Sequence, residues 1–419
     1  MNTTVPKRID DIADELNDMI KLLGSKKIDP EKFDQTVLEK IDPDDRETFL
    51  EKIDEFYQVI CYETDISNPN MQNQIPGSKW LQITEMYQAY KNAEAPEQIL
   101  SDFDDDKNFE AAYQYLKSGF ISWMIRFIKA DGINCVLEKI AQTSQDIRFY
   151  PTAEVSSKLL DKLHTYLDCL FEIFNALDIN TIVNIMDSRD ADSIDKSIYK
   201  IINILVFSLF PGEHQINSLI FQLFCPIINN AKEAPAVLDA MESYSNALGL
   251  SGKFSIVSDT ANFNEPSCRF SSIVFVNLLF KNVPELYRRV SIRYELYEEG
   301  FKTAIEDEFT NDSERVKQEV NYFKLRMIND EKAIRKIFGR SGISPMSAKS
   351  TANSILEWPD ASKDVSSFLL ELVWVKNISK VNFVDYLTVM VNFLTALHHC
   401  ESDDEFAQLS QSIWSNLPI

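Results

Sequence analysis

The chain has 419 residues, with 65 acidic against 42 basic side chains and a formal net charge of −23. It holds only 10 glycines, about 2.4% against a usual ~7%. That scarcity excludes the glycine-dependent turns, bulges and phosphate loops of nucleotide-binding and β-sandwich folds, and the acidity excludes a phosphate backbone as partner. A basic peptide or protein face suits the charge better. With 45% hydrophobic and 26% charged residues, the composition points to an all-α protein with short connections and a sizeable core. The six cysteines (Cys61, Cys135, Cys169, Cys225, Cys268, Cys400) are dispersed and form no Cys-x-x-Cys pair, the usage of reduced, mostly buried thiols in a cytosolic protein. No secretory signal opens the chain. Its most apolar run, Ile201 to Phe210, is far short of the roughly 20 residues that span a bilayer.

In chain order, Ile9, Ile12, Leu16, Ile20 and Leu23 recur at helical spacing. A second helix is expected to open at Pro30 and a third at Pro43-Asp44-Asp45, where proline and acids suit a helix start. The third carries Phe49, Ile53, Phe56, Tyr57 and Ile60. Ser67 to Gly77 reads as a loop, followed by an amphipathic helix from Lys79 to Tyr90. From about Lys107 long apolar helices follow one another. Ile133, Ile179, Ile216 and Phe301 read as residues opening the last helix of successive units, with a mean period of about 42 residues, inside the roughly 40–47 of armadillo and HEAT repeats. Such units stack and leave a face for an extended ligand. Gly119, Gly132 and Gly300 fall at the expected boundaries of repeat helices. Asp312 to Phe338 reads as one long charged helix with Val316, Val320, Phe323, Leu325 and Ile328 along it. After a break from Gly339 to about Ser350, Val365 to Trp414 reads as an intensely apolar helix pair that needs burial.

Little here recommends catalysis. His398-His399-Cys400 invites a metal reading, but zinc needs three or four convergent ligands, and histidines near a helix carboxyl end have a simpler explanation. His164 and His214 are isolated. The run Asp102, Asp104, Asp105, Asp106 lacks the Gly and Glu that a calcium loop places at its sixth and twelfth positions; a solvated helix start accounts for it. Asp187 to Asp195 fails the same test. No nucleophile elbow, phosphate-binding lysine loop or Ser-His-Asp pattern is present. The expectation is a non-enzyme with no cofactor and no metal.

Several segments, in their order, resemble the amino-terminal regulatory half of a Diaphanous-related formin. Asn108 to Lys129, with Ser122-Trp123-Met124 and Phe127, followed by Gly132-Ile133, looks like the first armadillo unit of that family's third formin-homology region. Leu167 to Asp187 is similar to the second unit and Tyr199 to Phe210 to the third. Phe275 to Phe301, with Arg293, Glu295, Leu296 and Gly300, is the most specific match. Upstream, the Leu16-Asn17-Asp18-Met19-Ile20 and Phe49–Ile53 helices and Ser78-Lys79-Trp80-Leu81 resemble the Rho-GTPase-binding domain. Downstream, Ser366 to Leu394 resembles the helical dimerisation domain.

The resemblance divides the chain into residues 1–105, a helical Rho GTPase-binding subdomain; 106–306, an autoinhibitory armadillo domain; and 307–419, a long helix with a helical dimerisation-like region. It implies that GTP-loaded Rho docks on the amino-terminal helices and first repeats. That docking displaces the formin's own carboxyl-terminal autoregulatory helix from the repeats and so controls actin filament nucleation and elongation. Carried over by register, Gln114, Ser118, Lys117 and Trp80 fall on the Rho side. Phe171, Asn175, Ile204, Phe207 and Asn277 fall on the groove for the autoregulatory helix, where the bulky Ile204 and Phe207 would narrow it. The resemblance also implies a homodimer in the cytoplasm, associated with the cytoskeleton, that meets actin only through a carboxyl-terminal half beyond this chain. The rival reading is a generic armadillo or HEAT scaffold or transport adaptor for an extended basic peptide.

Overall fold

Apolar residues three and four apart become helix faces, and nearly every face here is used. In a computed structural model the described residues are 8–25, 43–63, 76–149, 153–188, 196–306 and 312–338. The calls on Pro30, on most of the 67–77 loop, on His398-His399-Cys400 and on Val365 to Trp414 lie outside them. Among the described residues every regular element is an α-helix. The chain divides into two compact units, Met1–Ile328 and Asn329–Ile419.

The amino-terminal helices are α1 (Ile9–Ser25), α2 (Pro43–Glu63) and α3 (Pro76–Asn92). Their apolar stripes meet in a cluster of Ile9, Ile12, Leu16, Phe49, Ile53, Phe56, Trp80 and Ile83. Helix α3 starts before the expected Lys79, because Pro76 supplies the fixed φ of a first helical position. A short helix α4 (Pro96–Leu100) leads to α5 (Asp106–Lys117). The aspartate run that opens α5 is a helix start: the Asp105 side chain accepts from the Lys107 amide.

Among the described residues twelve helices then form four units of three. They are α6 (Ile121–Lys129), α7 (Gly132–Phe149) and α8 (Ala153–Ala176); α9 (Ile179–Asp187), α10 (Lys196–Phe207) and α11 (His214–Asn229). The third unit is α12 (Ala234–Leu248), α13 (Ser255–Asn262) and α14 (Pro266–Asn282), and the fourth α15 (Leu286–Glu298), α16 (Phe301–Glu306) and α17 (Glu314–Phe338). The third helices α8, α11 and α14 lie flank to flank, with α5 before them. Within residues 1–328 α17 covers α14, through Phe280 and Phe323 at 5.5 Å. Behind them α7, α10 and α12 make a second layer. Phe221 of α11 stacks on Phe275 of α14 at 5.1 Å, a geometry that adds about 0.5–1.5 kcal/mol to the burial of both rings.

The repeat anchors are corrected by this arrangement. Only Ile216 lies in a third helix; Ile133 lies in a second helix, Ile179 opens a first, and Phe301 opens a second. The third helices start at 153, 214, 266 and 314, spacings of about 61, 52 and 48 residues that exceed the roughly 40–47 of the simple repeat. The order of helices within the units changes as well. In the first two units the short helix precedes the long middle one; in the last two it follows. Helix α17 also splits its predicted stripe. Val316 and Phe323 are buried, whereas Leu325 is 59% exposed and Ile328 42%, because residues two and five positions past Phe323 turn away from its face.

Gly119 and Gly300 have φ of 76° and 96° and end α5 and α15. At Gly300 a methyl group has space but not a favourable backbone. Gly300→Ala is expected to lower stability by about 1–2 kcal/mol, read as a shift of the denaturant midpoint at unchanged slope.

Candidate functional site

The third helices present a continuous face. On α8 its ridge is Asp168, Phe171, Glu172 and Asn175; on α11 it is Gln222, Cys225, Pro226 and Asn229. Both follow the i, i+3, i+4, i+7 rule that keeps residues on one side of a helix. On α14 Val274, Leu278 and Lys281 continue it, and Lys281 Nζ donates to Asn229 Oδ1 at 2.8 Å. Pro226 has no amide, so the helical partner of the Gln222 carbonyl is missing by chemistry.

Toward α5 the face is polar. The Tyr113 hydroxyl donates to Asp168 Oδ2 at 3.0 Å, and the Lys117 ammonium sits 4.3 Å from the centre of the Tyr113 ring. The hydrogen bond with Tyr113 raises the Lys117 pKa, with Asp168 and Glu172 adding to it against its own desolvation. Burial, then the charge of Asp168, pushes the Glu172 carboxyl above its usual range. A raised carboxyl pKa means the folded state holds its proton more tightly. The penalty is therefore absent below the unfolded pKa and fully present above the folded one. Glu172→Gln is expected to raise the melting temperature slightly at pH 7 and to leave it unchanged near pH 4, measured by thermal denaturation at both.

Of the residues assigned to the Rho side, Gln114 and Lys117 are exposed on α5, and Ser118 closes that helix, its hydroxyl donating to the Tyr115 carbonyl. Trp80 is not with them. It is fully buried, 5.8 Å from Phe49, and serves the core of the amino-terminal helices.

The groove residues divide as well. Phe171 is half-buried and Asn175 exposed on α8, both on the third-helix face. Asn277 is buried; its amide donates to the Glu319 carbonyl and to Glu319 Oε2 at 2.7 Å, so it pins α14 to α17 instead of lining open surface. Ile204 and Phe207 are on α10, in the second layer, and so do not narrow the third-helix face. Phe207 stacks over Arg148, whose guanidinium also lies 4.3 Å from the Phe210 ring and donates to the Phe207 and Leu209 carbonyls. Arg148 thereby caps the end of α10. The family register names no residue of α11. Gln222, Cys225 and Asn229 stand where Asp168, Phe171 and Asn175 stand on α8, and the recurring four-residue spacing in α11 is the signal that finds them.

Among the described residues no group of three or more His, Cys, Asp or Glu is placed to hold a metal ion. The five described cysteines are free, and burial pushes the Cys225 thiol up to about 12 and that of Cys268 to about 11. No single helix among these residues is long and apolar enough to cross a membrane. Helices α8 and α9 qualify together by length and composition, but they are bent by 106°, and Leu163, Leu167, Leu170 and Ile173 belong to the protein core.

No curated protein matches the chain significantly. Residues 235–373 match the family model of the Diaphanous FH3 domain. The match covers α12 to α17 and includes Phe275 to Phe301, the stretch whose resemblance was most specific; α5 to α11 precede it. Over residues 235–373 the chain is similar to the Diaphanous FH3 domain, consistent with the amino-terminal region of a Diaphanous-related formin.

Proposed function

We propose that this chain is the regulatory module of a formin. It binds a GTP-loaded Rho-family GTPase and holds the formin's own autoregulatory helix on the third-helix face, so that GTPase binding releases actin nucleation and elongation. Residues 1–105 with α5 would serve the GTPase, 106–306 the helix, and 307–419 a homodimer at the cytoskeleton in the cytoplasm. The match to Diaphanous FH3 over residues 235–373 carries this reading. That family is a regulatory one, and the role requires no chemistry of the chain's own. The geometry supports it in one respect. The third-helix face offers half-buried Phe171, Leu278 and Pro226 beside Asp168 and Glu172, a surface for an amphipathic helix with basic residues. The −23 net charge favours that partner at long range.

Titration of the chain with Rho-type GTPases, each loaded with a GTP analogue or GDP, tests the proposal. The expected result is at least about tenfold tighter binding of one GTPase in its GTP form, a difference of about 1.4 kcal/mol. Equal or absent binding across the Rho family would refute it.

A further inference from the structure

Glu63, the last residue of α2, is a fully buried carboxylate. Its Oε1 accepts from the Ile9 amide at 3.2 Å and from the Ser122 hydroxyl at 2.8 Å. Its Oε2 accepts from the Ser122 amide at 2.8 Å. Ile9 is the first residue of α1 and Ser122 the second of α6. The first amides of a helix have no partner within it and carry the positive end of its dipole. Helix α6 has no capping side chain of its own at Phe120. One carboxylate from a third helix therefore caps two others, and the Arg8 guanidinium at 3.9 Å balances its charge.

This arrangement is conditional. A buried carboxylate is tolerated only while its oxygens are hydrogen-bonded. If α1 leaves, Oε1 loses one of two donors and Arg8 goes with the helix. The anion is then less compensated, and its bonds to Ser122 must relax or admit water. Helix α1 belongs to the amino-terminal helices and α6 to the first repeat, 59 residues beyond Glu63. Other contacts cross the same seam, among them Tyr90 against Phe120 at 5.6 Å. Glu63 differs in serving both sides with a single group.

We propose that Glu63 is a conformational latch: α1 and the amino end of α6 open and close together because they share its carboxylate. Anything that pulls α1 from α2 then loosens the first repeat, and distortion of the first repeat is felt at α1, as reciprocal coupling demands. This holds whichever partner the repeats bind.

Residue-resolved hydrogen exchange on the full chain tests it. Glu63→Gln replaces one acceptor oxygen with a donor and is expected to speed exchange of both the Ile9 and Ser122 amides on the order of tenfold or more, with Phe275 and Val276 in α14 unchanged. Ser122→Ala removes one donor at the α6 end and leaves α1 untouched in sequence. It is expected to speed exchange at Ile9 by roughly two- to fivefold. Acceleration confined to α6 in Ser122→Ala would overturn the latch, because Glu63 would then be two independent caps. Uniform acceleration that includes α14 in both variants would overturn it too, as a loss of global stability.

Discussion

Asp312→Ala is expected to destabilise the repeats by about 3–5 kcal/mol, measured by chemical denaturation. Arg269 on α14 is 1% exposed, and Asp312 meets it in a two-point pair, Nε to Oδ1 at 2.7 Å and Nη2 to Oδ2 at 3.1 Å. The same guanidinium donates to the Ala261 carbonyl of α13 and the Ala304 carbonyl of α16. One side chain thus fastens two short helices and the entry to α17. Removing Asp312 leaves a buried cation without its counter-charge, which costs more than the pair itself contributes. The control separates these two quantities: Arg269→Met combined with Asp312→Leu should recover much of the loss, since apolar replacement of a whole buried pair is often nearly neutral. A single variant as stable as the parent would mean that the carboxylate is replaceable by water.

The second large effect concerns binding. On the proposed function, Phe171→Asp is expected to weaken binding of the autoregulatory helix at least about thirtyfold, some 2 kcal/mol, the scale of an anchor residue at an interface centre. It puts a charge on the apolar part of the third-helix face and adds to the field of Asp168 and Glu172. Phe207→Ala should leave that affinity within about twofold, the range of residues outside an interface, because Phe207 lies in the other layer. Isothermal titration with a synthetic peptide of the autoregulatory helix gives both numbers, with circular dichroism as the check on folding. Equal losses at Phe171 and Phe207 would place the peptide on a surface that includes α10, as the family register implies.

The amino-terminal helices were legible because period and punctuation agree there. Ile9, Ile12 and Leu16 share a face, and Pro43 opens α2 where proline and acids predict it. The class of fold was legible from scarce glycine. The exposure of the residues carried over by resemblance was not legible, and Asn175 and Asn277 show why. The same residue type, carried over by the same resemblance, is exposed in one case and buried in the other, because α17 lies across α14 at Asn277. Exposure is set by the next helix in the stack, which no local pattern encodes. Trp80 makes the same point within one helix: an aromatic at a plausible contact position is more valuable to a small core. Glu63 was invisible for a further reason. Its partners lie 54 and 59 residues away on opposite sides, and a glutamate at a helix end looks like any solvated one until the packing is known.

The inversion of short and long helices between the second and third units has a consequence for how such a protein can change over time. An array of equivalent units can lengthen or shorten by copying or deleting one of them, since every junction is alike. Here the junction between α11 and α12 joins units of opposite internal order. A copy of the second unit would have the order of its parent and of the first, so it could meet the third as the second does now; only the α11–α12 junction has no like neighbour. Units can thus be gained or lost within either half of the stack, whereas the α11–α12 junction must be kept once and once only.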